Sequence, residues 1–376
     1  MEEIRIINGL IYRAGKLISG EVNISKGKIT SKVGPAARVI DAKGGIISPG
    51  LIDIHTHGAK GIDINSAREA CFGRLCEFYA SHGVSGFQAS IAADSKENTL
   101  GTIKALSPLV NAESGGAKLI GLHLEGPFLN PMHSGAISKE YLLLPNVKLL
   151  EEYLSAGKIT YMTIAPELEG AIELIKDFSK DTVFSLGHSA ADYETLLSAV
   201  RAGAKSATHL FNAMIPIHQR RPGIAVAAMD SGIYCEIISD GRHIHPAMIR
   251  MAAAFAGYEK LIAVTDSMQA AGMGDGVYTL AGIKVIVKGE DALLENGNRA
   301  GSLLTPDRAL KNMKEFTKMP FERLIPLFTE NPAKLLNIYD RTGALDEGKD
   351  ADITVFDENM NVRLTMAGGR VVYERE

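Results

Sequence analysis

Eight short apolar runs rich in strand-forming residues recur through the chain, at 51–55, 84–91, 118–125, 160–165, 182–187, 205–211, 233–239 and 260–265. Helix-patterned segments, such as 67–81 and 190–202, lie between several of them. Strands that alternate with helices run parallel, because each return passes through a crossover. Eight such units close most simply into a (β/α)8 TIM-like barrel. A doubly wound open α/β sheet is the competing arrangement.

The two ends of the chain read differently. Residues 1–48 form short alternating runs broken by Asn8-Gly9, Ala14-Gly15 and Lys26-Gly27, which are strand and hairpin signals. The final stretch repeats the pattern, and neither end has enough apolar residues for a core of its own. They are expected to pair into one small β-sandwich domain, from 1–48 and 345–376, attached to a barrel spanning 49–344. Short β runs with turns near 276–301 read as an insertion after the eighth strand.

Bulk properties exclude several classes. The chain has 376 residues and a formal charge of −4, so no basic field favours nucleic acid. It contains no run of 18 apolar residues that could span a membrane. Its start lacks the basic and apolar segments of a signal peptide. The three cysteines, Cys71, Cys76 and Cys235, contain no Cys-x-x-Cys pair and suit buried, reduced thiols in the cytoplasm.

Chemistry gathers where the apolar runs end. The first ends in His55-Thr56-His57, and alternate strand residues face the same side, so both imidazoles can enter one cavity. Later runs end in His123-Leu124-Glu125, Gly187-His188-Ser189, Thr208-His209, Asp240-Gly241-Arg242-His243 and Thr265-Asp266. In a barrel these termini share one rim, where such enzymes build their sites. Imidazole and carboxylate donors suit a divalent metal: zinc, iron, manganese or cobalt. Such an ion polarises a carbonyl and acidifies water. Asp266 is suited to act as general base and then acid; its alternative role is capping a helix before Ser267-Met268.

The segments Pro49-Gly-Leu-Ile-Asp-Ile-His-Thr-His57, Leu122-His-Leu-Glu-Gly-Pro-Phe128, Gly187-His188-Ser189, Thr208-His-Leu-Phe-Asn-Ala-Met214 and Val264-Thr-Asp266 resemble the amidohydrolase superfamily. Within it they are similar to the N-acetylglucosamine-6-phosphate deacetylase family, essentially end to end. The resemblance implies hydrolysis of the 2-acetamido group of that sugar phosphate. It implies that Glu125, His188 and His209 hold a principal metal, that His55 and His57 match a second-metal pair, and that Asp266 is catalytic. One or two ions per subunit are compatible with this set. The resemblance also places backbone contacts to substrate at Asn212 and Ala213, and Arg220 and His243 near the phosphate. It further implies a homodimer whose phosphate pocket is completed across the interface, so that one of these residues could serve the neighbouring site. Arg221 could take the same task.

One position departs from the family pattern. Many members carry a substrate-contacting histidine in a Gly-Ala-His context, where this chain has Gly135-Ala136-Ile137. Isoleucine cannot make that hydrogen bond, which makes N-acetylgalactosamine 6-phosphate the nearest alternative substrate. A cyclic-amide hydrolase of the same superfamily is a more distant alternative.

Overall fold

A computed structural model describes residues 2–375. Eight parallel strands form its central sheet: β1 Leu51–Asp53, β2 Val84–Ala92, β3 Lys118–Glu125, β4 Ile159–Ile164, β5 Val183–Leu186, β6 Ser206–Ala207, β7 Tyr234–Ile238 and β8 Leu261–Val264. They lie side by side in chain order. The ring closes just beyond the strands. Thr56 and Ser267 form a parallel bridge, Asp266 N donates to His55 O at 2.8 Å, and His57 N donates to Ser267 O at 2.7 Å. A helix follows each strand, from Glu69–Ser81 after β1 to Pro306–Thr317 after β8. The closed barrel therefore replaces the open-sheet alternative.

Local sequence sets several boundaries. Ser95, Asn146 and Asp192 each cap a helix by accepting a hydrogen bond from a first-turn amide. The run at 205–211 yields only two strand residues. Beyond Ala207 the backbone turns left-handed at His209 (φ 29°) and Phe211 (φ 75°), which ends the ladder.

Apolar residues such as Leu122, Met162, Phe184 and Ile237 are fully buried in the core. A polar layer lies among them. His123 is held between Ser90 Oγ (2.8 Å) and Thr163 Oγ1 (2.9 Å), and Thr163 continues to Thr208 (2.9 Å). Every member is paired, so the layer can be buried without orphaned groups.

Strand Ile46–Pro49 pairs antiparallel with Ile353–Phe356, and this pairing joins the two chain ends in one mixed sheet. Ile6, Ile24, Ile47, Ile353 and Met366 are buried in its own apolar cluster. Strands Gly276–Leu280, Ile283–Lys288 and Asp291–Leu293 form a separate antiparallel sheet after β8. Among the described residues, no helix is long and apolar enough to cross a membrane.

Candidate metal centre and active site

Four imidazoles and a carboxylate meet at the C-terminal rim of the barrel. Two sets of ligand atoms, His55–His57–Glu125 and Glu125–His188–His209, each lie within 4.8 Å of one another, and all five residues are buried. Glu125 ends β3 and serves both sets. Its Oε1 lies 3.1 Å from Nε2 of both His188 and His209, and its Oε2 lies 3.2 Å from Nε2 of His57.

The outer nitrogens decide what the inner ones offer. Nδ1 of His55 faces Glu236 Oε2 at 2.9 Å. Nδ1 of His57 faces Ser90 O at 3.1 Å, and Nδ1 of His188 faces His133 O at 2.8 Å. Each acceptor calls for a proton on Nδ1, which leaves the Nε2 lone pair directed inward. Nε2 atoms then face each other at 3.2 Å (His55–His57) and 3.0 Å (His188–His209). Two bare lone pairs at that separation repel unless a proton or a metal cation lies between them. Nδ1 of His209 has no hydrogen-bond partner among the described residues, so no acceptor fixes the tautomer of this ring. This nitrogen and oxygen donor set fits a first-row divalent ion.

The electrostatics agree with that fit. Burial by itself would depress His57, but Asp266 and Glu125 outweigh it and raise the ring to about 9. Burial likewise opposes ionisation of Glu125, and His188 and His55 hold it well below the usual carboxylate range. The site thus stabilises positive charge at its centre.

Asp266 follows β8. Its Oδ1 lies 3.3 Å from His57 Nε2 and 3.6 Å from His55 Nε2. Burial opposes its ionisation, and His55 and His57 override that and lower its pKa. No helix begins at Ser267, so the capping alternative falls. Three of these residues have left-handed backbone: His188 (φ 49°), His209 (φ 29°) and Asp266 (φ 49°). Such strain in residues with a Cβ persists only where surrounding structure enforces it, and it clusters at functional sites. Gly135 relieves one crowded point. Its φ is +59°, and a Cβ there would stand 3.2 Å from the His188 ring.

A cavity of about 350 Å³ opens onto this centre and is also lined by Asn212, Ala213, Ile137 and His243. His243 Nδ1 lies 2.6 Å from Asp240 Oδ2. Arg220 does not join them within one chain. It lines a second cavity with Tyr193, Ile217 and Arg221, because the segment after Met214 runs outward to helix Gly223–Ser231.

Sequence reasoning missed Glu236, which is fully buried in β7. It also accepts from Tyr161 OH (2.6 Å) and from His209 N (3.0 Å). The available signal was a lone acidic residue inside an apolar run, since unpaired charges are rarely buried.

A rim cavity over buried histidine–carboxylate groups on a (β/α)8 barrel defines a class: hydrolases that work with a divalent metal. A profile of the amidohydrolase family matches residues 46–372, and the chain belongs to that family. It is 36% identical to the N-acetylglucosamine-6-phosphate deacetylase of Bacillus subtilis (strain 168), over 94% of this chain and 93% of the relative. It is 30% identical to the N-acetylgalactosamine-6-phosphate deacetylase of Escherichia coli O157:H7, over 96% and 97%. The structure superposes with a TM-score of 0.90 and 29% identity on a point mutant of N-acetyl-D-glucosamine-6-phosphate deacetylase from Mycobacterium smegmatis, solved in complex with N-acetyl-D-glucosamine-6-phosphate, covering 99% of both chains.

Proposed function

We propose that this chain hydrolyses N-acetyl-D-glucosamine 6-phosphate to D-glucosamine 6-phosphate and acetate, in amino-sugar breakdown. The observation that carries the reading is the cluster of His55, His57, Glu125, His188 and His209 beside Asp266, in a chain that aligns nearly end to end with deacetylases of this kind. A divalent ion held by those five residues, as one ion or two, would polarise the acetamide carbonyl and acidify a water molecule. Zinc, iron, manganese and cobalt all suit the donors.

Asp266 is assigned the proton transfers. Its Oδ1 takes the proton of the attacking water and delivers it to the sugar nitrogen as the carbon–nitrogen bond breaks. Glu236, Ser90 and His133 keep His55, His57 and His188 in the required tautomer. Asn212, Ala213 and His243 line the space for the sugar phosphate. Arg220, lying outside this cavity, reaches phosphate only from a neighbouring subunit, which supports a homodimer as the working form. A phosphorylated substrate and reduced thiols favour the cytoplasm.

The alternative substrate, N-acetylgalactosamine 6-phosphate, draws support from Ile137, whose alkyl side chain lines the cavity instead of a hydrogen-bonding one. The two sugars differ at the C4 hydroxyl. Acetate release from both, after metal stripping and reconstitution, tests the proposal. Release from neither sugar overturns it, and faster release from the galacto sugar selects the alternative.

A further inference from the structure

The site cavity has two basic residues on its wall that the roles above leave unused, Arg242 and Arg299. Arg242 is placed by Asp240, whose Oδ1 accepts from the backbone N of both Arg242 and His243 at 2.8 Å. Arg299 comes from the end of the inserted sheet. The two guanidiniums converge on one atom, since Nη1 of each lies 2.9 Å from Asp291 Oδ1. Glu290 accepts from Arg242 at 3.3 Å and also from Arg308. Three guanidiniums therefore share two carboxylates, while the Asp240 carboxylate is turned to backbone amides and the His243 ring. Arg299 spends only Nη1 here, and its other N–H groups have no acceptor among the described residues.

Half-exposed pairs of this kind stabilise little as a latch for the insertion. Guanidinium with unspent donors on the wall of a ligand cavity has a different chemical use. Its forked N–H groups match a phosphate monoester, a near-dianion at neutral pH. The geometry points to Arg242 and Arg299 as an anion clamp, supplied by the same subunit, for the 6-phosphate of the substrate. Asp291 holds the two side chains together until phosphate takes over their free donors. The inference rests on the deacetylase reading and deepens it: phosphate selection is built partly from this chain's own loops, not only from Arg220 of a neighbour.

The test compares R242L, R299L and D291N in the metal-loaded enzyme, using N-acetylglucosamine with and without its 6-phosphate. Each arginine loss is expected to raise KM for the phosphorylated sugar about tenfold, with kcat changed far less, and to lower the preference for phosphorylated over unphosphorylated sugar by the same factor. D291N removes the charge that holds the two guanidiniums and is expected to lower that KM. An unchanged preference in R242L and R299L overturns the clamp. So does a rise in KM for D291N equal to that of the arginine variants, because the cluster would then act only as a latch. Absence of acetate release by wild type would instead remove the deacetylase reading. Calorimetric titration of inorganic phosphate into wild type and both arginine variants still decides the clamp in that case: equal affinity overturns it, and weaker binding by the variants supports it.

Discussion

Glu236 Oε2 stands 2.9 Å from His55 Nδ1, and both side chains are fully buried. The same oxygen accepts from the backbone N of His209 at 3.0 Å, so one carboxylate braces a ligand from each half of the metal centre. Tyr161 donates to its other oxygen at 2.6 Å, and burial and Glu236 hold that phenol protonated.

Glu236→Gln is expected to weaken metal retention about 10- to 100-fold, because the amide cannot hold the His55 tautomer as firmly. Metal content after dialysis against graded chelator measures this. Retention equal to wild type would remove the bracing role.

Asp266→Asn keeps shape and removes the proton acceptor. We expect kcat to fall by a factor on the order of 100 to 10,000, with KM and metal content little changed. Near wild-type turnover with metal retained would overturn its assignment as the proton-transfer group.

Complete metal removal should abolish turnover and lower Tm, since an ion that binds only the folded chain stabilises it. Without it, four imidazoles and two carboxylates stay buried, with Nε2 atoms facing each other at 3.2 and 3.0 Å and no ion between them. Calorimetry of stripped and reconstituted protein checks this, and an unchanged Tm would count against a tightly held ion.

Gly135→Ala introduces a Cβ at φ +59° and 3.2 Å from the His188 ring. A cost of about 1 kcal/mol in stability is expected from the backbone alone. Displacement of His188 should add a loss of metal affinity. Denaturant unfolding and metal titration separate the two effects, and a variant matching wild type in both would show that the approach has slack.

Burial pushes the thiols of Cys76 and Cys235 up to about 12. At pH 8 neither should be alkylated in the folded protein at an appreciable rate, while all three cysteines react after unfolding. Mass spectrometry reads the labelled positions, and rapid native labelling of Cys76 or Cys235 would contradict their burial.

Much of this protein was legible without coordinates because its information is local. A strand is written in a few consecutive apolar residues, and the residue that ends it is adjacent in sequence. Glu125, His188, His209 and Asp266 could therefore be located at strand ends, and parallel connection then puts all such ends on one rim. The hydrogen-bond partners were not legible. Glu236 looks like any acidic residue until β7 turns it toward His55, 181 positions away. The separation of Arg220 from the cavity, and the arrival there of Arg299 beside Arg242, depend on where an outward segment and an inserted sheet come to rest. Those placements arise from packing between distant elements, whose contacts leave no periodicity in the chain. Sequence alone determined the order of strands and the kinds of side chain at their ends; tertiary structure decided which nitrogen of each imidazole faces the centre and which charges share the cavity.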